Sequence, residues 1–403
     1  MTKGWLIAAT AILVTTRLVA AQESDSALVA KARAIHQRVL TIDTHIDFEP
    51  AHFTAQCNYT RRLVTQANLP KMRDGGLDAA FFIVHVPQGP LTPVGYADAY
   101  RQAVAKFDAV HRLTEQIAPK EIGLALTSDD VTRIAQSGRK VAVIGVENGY
   151  PIGTDIGRVR EFYQRGARYL SLAHTGHNQL SDSHSGETTN DAPNGGISAF
   201  GREVLAELNR VGIMVDLSHL SRAAALQAMA LSNTPVIASH SSVRALVDHN
   251  RNLDDEQLLA LKKNGGVVQV VAYAGYLRAG ARTGRTPIRN EVASGSLAPC
   301  PIEAPATKPL SVEGRPGVKE LVDHIDHAVK LIGIDHVGIS SDFDGGGGIE
   351  GWDSAADTAN VTIELVRRGY SEEEVAKLWG GNLLRVWREV ERVATERDVR
   401  RGR

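Results

Sequence analysis

The stretch TIDTHIDFEP, residues 41–50, closes the apolar run Leu40 to Ile42 with an imidazole and a carboxylate two positions apart. Side chains at i and i+2 of a strand project to the same side, so His45 and Asp47 converge on one point if the run is a strand. Either the two form a hydrogen-bonded pair at a strand end, or they face a metal ion. The remainder of the chain decides between these readings.

Seven further apolar runs follow: 78–86 (DAAFFIVHV), 140–149 (KVAVIGVENG), 168–174 (RYLSLAH), 212–219 (GIMVDLSH), 235–241 (PVIASHS), 266–273 (GVVQVVAY) and 336–345 (HVGISSDFDG). With residues 39–45 they make eight. Their continuous hydrophobicity marks strands buried on both faces, and the helical patterns between them suit right-handed β-α-β crossovers. The sequence therefore predicts an α/β fold, a closed parallel (β/α)8 barrel of TIM type. Helix punctuation agrees with this reading. FGREVLAELNRVG (200–212) has apolar residues at helical spacing and stops at Gly212. SEEEVAKLWGGN opens with Ser371 and Glu374 in capping-box register, ends at Gly380-Gly381, and leaves Asn382 to cap a final helix.

The ends of the runs carry the functional signal. His45 and Asp47 end the first, Glu147 the third, His174 the fourth, His219 the fifth, His240 the sixth, Tyr273 the seventh and Asp342 the eighth. In a β/α barrel all of these lie on the C-terminal rim, where active sites are built. Imidazoles and carboxylates without cysteine suit Zn2+, with Mn2+ or Co2+ as alternatives. His45, Asp47, Glu147, His219 and His240 exceed what one open catalytic zinc needs and suit two metals that share a carboxylate. Glu147 is the natural bridge. Such a pair holds a hydroxide and stabilises a tetrahedral oxyanion, so the implied reaction is hydrolysis.

Composition narrows the class. The 403 residues are 43% hydrophobic and 23% charged, and 45 basic residues nearly cancel 46 acidic ones. A net charge of −1 argues against a nucleic-acid surface or a polybasic membrane dock. At the N-terminus, Lys3, the apolar stretch Trp5 to Val14 and the small residues Val19-Ala20-Ala21 read as a secretory signal over 1–21. A single domain over 22–403 is then expected in a secreted or periplasmic location, without a stable membrane span. There Cys57 and Cys300 either pair or remain as two buried thiols.

At this point the chain resembles the membrane dipeptidase (renal dipeptidase) family of binuclear zinc peptidases, over residues 30 to 395. The motifs are DTHID, VENG, LAHTGHNQLSDS, FGREVLAELNRVGIMVDLSH, PVIASHSSVRALVDHNRN, GGVVQV and LIGIDHVGISSDFDG, in that order. The resemblance implies a metallo-dependent hydrolase barrel with two Zn2+ per chain, one on His45, Asp47 and Glu147 and the other on Glu147, His219 and His240. It implies that His174 contacts the substrate carbonyl or the tetrahedral intermediate, that Arg251 holds the substrate carboxylate, and that Asp342 shuttles the proton of the bridging water. Tyr273 would lie near substrate, with Tyr276 as its rival. The implied substrate is a dipeptide or similar small carboxylate-bearing molecule, open to a D-residue at the C-terminal side, and the implied assembly is a homodimer. Phe48-Glu49-Pro50 and the GHNQ after Thr175 depart from the family pattern. They bear on side-chain preference and on the disulfide pattern.

Other features receive plainer readings. His85 is expected to be a satisfied buried histidine, His324 and His327 to lie on a helix surface, and His177 and His184 to ride a mobile loop. DGGGGIEGW (344–352) lacks the lysine and helix of a phosphate loop and is expected to be a flexible rim loop. An N-acyl-amino-acid deacylase, or a lactam or lactone hydrolase, would use the same metal site. A metal-dependent binding protein on a barrel scaffold would have no need of Asp342.

Overall fold

The computed structural model describes residues 25–282, 284–288, 300–303 and 312–401. The signal sequence expected at 1–21 lies outside them. Among the described residues nine strands form: β1 (Ile42–Ile46), β2 (Ala79–His85), β3 (Ile122–Leu124), β4 (Lys140–Glu147), β5 (Ala167–Ser171), β6 (Met214–Asp216), β7 (Ile237–Ser241), β8 (Val267–Val271) and β9 (Val337–Ser340). Neighbours pair in parallel in the order β1-β2-β4-β5-β6-β7-β8-β9. A parallel bridge between Ile46 and Phe343, with the Asp47 amide donating to the Phe343 carbonyl at 2.9 Å, brings the last strand back against the first. This is the (β/α)8 barrel expected from the eight apolar runs.

Burial explains why those runs were continuous. Every residue of the eight barrel strands is buried except Lys140, because helices cover the outside and side chains fill the inside. The short β3 was not foreseen. It pairs with Lys140–Ala142 of β4, on the side where β5 joins only from Ile144 onward, so it fills the sheet edge that β5 leaves open. Three residues carry too little pattern to announce a strand.

Helix signals held where they were local. Ser198 caps the helix Ala199–Val211, which stops at Gly212 with φ 91°, and Ser371 with Glu374 forms the expected capping box. Past that box the chain departs from expectation. The helical path runs on through Gly380-Gly381 as a wide turn, Lys377–Gly381, into Asn382–Arg401. Asn382 has helical backbone angles and its amide closes the wide turn on the Lys377 carbonyl, while its side chain donates to the carbonyls of Ile334 and Val337 and so ties this helix to the entry of β9. Glycine at 380 is required by packing, since a Cβ there would lie 2.8 Å from Ile42 side-chain carbons.

Three surface expectations are corrected. His324 is buried, and its Nδ1 accepts a hydrogen bond from the Val243 amide at 3.1 Å, which fixes the chain just after His240; His327 alone is partly exposed. The glycine run after β9 is packed: residues 346–349 are buried, and the amides of Gly347 and Gly348 donate to the carbonyls of Asp342 and Ala272. Asp344 anchors it by accepting from the Gln66 and Ala67 amides, and burial lifts its carboxyl to about 7. His184 is half-buried rather than on a free loop, with Nδ1 3.2 Å from the His219 carbonyl. Cys57 and Cys300 form a disulfide, which settles the pairing that the sequence left open.

Candidate metal centre

Nearly all of the strand-end side chains meet around one carboxylate. Glu147 ends β4 and is 2% exposed. Its Oε1 lies 3.0 Å from His219 Nε2, 3.3 Å from His240 Nε2 and 3.7 Å from His45 Nε2. Its Oε2 faces His174 Nε2 at 3.8 Å and His85 Nε2 at 4.0 Å. His45 Nε2 also lies 3.6 Å from Asp47 Oδ2 and 3.9 Å from Asp342 Oδ1. Donor atoms of His45, Glu147 and His240, and of His45, Asp47 and Asp342, each gather within 4.8 Å of one another.

The far ring nitrogens show how the imidazoles are aimed. His45 Nδ1 is 3.0 Å from the Tyr169 hydroxyl, which itself donates to the Thr44 carbonyl and so must accept from the ring. His240 Nδ1 is 2.9 Å from Ser239 Oγ, whose proton goes to Asp216 Oδ2 at 2.7 Å. In both rings Nδ1 carries a hydrogen, which leaves Nε2 as the atom turned toward Glu147; metal-binding histidines are commonly held this way. His219 Nε2 and His240 Nε2 stand 2.9 Å apart, a separation that two neutral acceptors tolerate only with a shared proton or cation between them. The donor set therefore fits divalent metal of the zinc type.

Charge follows the same arrangement. Burial alone would raise the Glu147 carboxyl, but the imidazoles of His174, His45 and His219 outweigh it and hold the group well below its usual range. Burial would lower His45, yet the carboxylates of Glu147, Asp47 and Asp342 lift it to about 9. Burial, with Arg251 and His174 nearby, holds His219 well below the usual imidazole value, and burial with His45 nearby does the same for His240. Backbone strain is concentrated here too. His219 and Asp342 adopt φ of 71° and 58°, unusual for non-glycine residues and typical of functional rims.

Gly345 makes the close approach of the two acids feasible. A Cβ on it would lie 2.3 Å from Asp342 Oδ1 and 2.4 Å from Asp47 Oδ2, so the position admits glycine only. This residue, with Tyr169, Ser239 and Asp216, was missed from the sequence. For Tyr169, Ser239 and Asp216 the available signal was polarity inside an apolar strand, because a buried polar group demands a partner.

Arg251 borders the centre. It is 3% exposed; Nη2 donates to the His240 carbonyl at 3.0 Å, Nη1 to Ser241 Oγ at 3.4 Å, and Nε has no hydrogen-bond partner among the described residues. Its guanidinium lies 5.3 Å from the ring centroid of Tyr276, which in turn stacks on Tyr273 at 4.3 Å. Tyr276 is thus the tyrosine against Arg251, and Tyr273 forms the next layer, beside Gly346. His85, expected to be an ordinary core histidine, instead faces Glu147 and sets its ring against that of His174 at 4.6 Å.

A parallel barrel that gathers imidazoles and carboxylates on its C-terminal rim defines the class as a metal-dependent hydrolase. Residues 29–401 match the model of the family described as membrane dipeptidase (peptidase family M19), and the chain belongs to that family. It is similar to dipeptidase verJ of Clonostachys rogersoniana, 31% identical over 91% of this chain and 88% of the relative. It is also similar to dipeptidase 3 of Rattus norvegicus, 32% identical over 83% of this chain and 60% of the relative. Among solved structures, the probable dipeptidase PvdM from Pseudomonas aeruginosa superposes with a TM-score of 0.79 at 34% identity, covering 92% of this chain and all of the other. The protein is accordingly a metallopeptidase of the dipeptidase type.

The raised His45 value yields a test. Without metal, His45 is protonated below about pH 9, and a metal ion at Nε2 must displace that proton. Metal uptake near pH 7.5 should release about one proton, and affinity should rise with pH until about pH 9, then level. Calorimetric titration in buffers of different ionisation enthalpy measures both. A flat affinity with no proton release would contradict the assignment of His45 as a ligand.

Proposed function

We propose that the chain hydrolyses dipeptides with two Zn2+ ions, one held by His45, Asp47 and Glu147, the other by Glu147, His219 and His240. The observation that carries this reading is the position of Glu147 Oε1, within 3.7 Å of His45 from one ligand set and of His219 and His240 from the other. The chemistry supplied by bound ions is Lewis acidity toward the scissile carbonyl and an activated water.

The protein's own side chains do the remaining work. Asp342, with Oδ1 beside His45, accepts the proton of the attacking water and returns it to the leaving amine. His174, opposite Glu147 Oε2, donates a hydrogen bond to the carbonyl oxygen as charge develops there. Arg251 holds the free C-terminal carboxylate: its buried Nε lacks a hydrogen-bond partner among the described residues, and a carboxylate can take Nε and one Nη side by side. Tyr276 stacks on that guanidinium and Tyr273 supports Tyr276, so both line the end of the site that receives the carboxylate.

We further read residues 1–21 as an export signal and 22–403 as one domain. The Cys57–Cys300 disulfide supports an oxidising compartment such as the periplasm or the cell exterior. Among the described residues no helix is long and apolar enough to cross a membrane.

Two substitutions separate the roles. Asp342→Asn should keep its metal content and lose ~10²–10⁴-fold in kcat, because an amide cannot accept the proton; near-normal kcat would move the shuttle elsewhere. Arg251→Ala should lose about 10- to 150-fold in kcat/KM on dipeptides with metal retained. C-terminally amidated dipeptides should already be poor substrates of the unaltered enzyme. Equal hydrolysis of amidated and free-acid dipeptides would remove the carboxylate clamp. Turnover of acyl-amino acids without turnover of dipeptides would replace the proposed substrate class.

A further inference from the structure

Glu147 has two oxygens, and only one faces the proposed metal ligands. Its Oε2 looks instead toward His85 and His174, and donor atoms of these three residues lie within 4.8 Å of one another. The spacing matches that of the accepted set: 3.8 and 4.0 Å here, against 3.6 to 3.9 Å from His45 Nε2 to its three carboxylates. Strand pairing holds the trio in place. His85 and Glu147 are direct partners across β2 and β4, and β5, which leads into His174, flanks β4 on its other side. The His85 and His174 rings meet edge to face, with 66° between their planes.

We propose that His85, Glu147 Oε2 and His174 form a third, weaker divalent-metal site, whose occupancy inhibits the enzyme. Two imidazoles and a carboxylate are the donor set of open zinc sites, with metal–ligand distances of about 2.0–2.2 Å. Small rotations of the three side chains close their present separations onto one ion. The site is weak for two reasons. Glu147 is shared with ions on its other oxygen, and like charges a few ångströms apart repel. Inhibition follows from His174, because an imidazole that binds metal through Nε2 can no longer donate from that nitrogen to the substrate carbonyl. Excess zinc should therefore lower kcat and kcat/KM for dipeptides while the two tight ions stay in place. The residue that creates the site is His85, which has no part in the proposed hydrolysis.

The inference rests on the proposed function for the count of tight ions and for the role of His174. Equilibrium dialysis against graded Zn2+, read by elemental mass spectrometry, should show the unaltered protein binding one more equivalent at high zinc than His85→Phe. That variant should also keep dipeptide turnover and lose inhibition by excess zinc. An equal number of equivalents in the two proteins overturns the third site. A variant that binds one fewer equivalent, yet retains fewer than two, upholds the third site and contradicts the dinuclear reading instead. Should the variant fold poorly, anomalous diffraction from unaltered crystals soaked in excess zinc decides: a weak peak beside His85 Nε2 is expected, and its absence, with the soaked metal visible elsewhere on the rim, overturns the inference.

Discussion

The site depends on a carboxylate buried where no carboxylate can stand alone. Removing an ionised group from water costs several kcal/mol unless charges and hydrogen bonds offset it. Glu147 meets that demand through the imidazoles of His174, His45 and His219, with His240 and His85 packed beside it. The five imidazoles around it arrive from β1, β2 and β7 and from the segments after β5 and β6, so the carboxylate is satisfied only when the barrel has closed. Fold and site are therefore one construction, because the strand order that completes the core also completes the ring of donors.

Around that ring, rigid parts hold strained ones. His219, Asp342, Asn148 and Asp344 occupy the left-handed region of backbone space although none is glycine. Such conformations cost about 1–3 kcal/mol each and persist where the surroundings overdetermine them. Here the surroundings are strands buried on both faces, the buried Asp216–Ser239 pair under His240, and the packed glycine run that places Gly345 against Asp47 and Asp342. A flexible loop in place of that run would leave the two acids free to separate.

Legibility in the sequence tracked the range of the interaction. The eight strands showed themselves because burial on both faces writes a continuous apolar run, and the rim residues because each ends such a run. The capping box at Ser371 and the stop at Gly212 were legible for the same local reason. The failures involve contacts between distant segments. Asn382 reads as a cap until its partners in the entry to β9 are known. His324 reads as surface until the Val243 amide is found against it, and the glycines after β9 read as mobile until Gln66 and Asp47 are seen to pack on them. His85 sits at a strand end like the others, but only the pairing of β2 with β4 shows that it faces Glu147.

The central claim is that Glu147 serves two ions at once, and native mass spectrometry of zinc-loaded protein tests it most directly. Unaltered protein should carry two tightly held zinc ions. A substitution at a terminal ligand, His45→Ala, should leave one, whereas Glu147→Gln should leave less than one, since the lost oxygen belongs to both sites. A Glu147→Gln protein that still holds two ions as tightly as the unaltered chain would contradict the account.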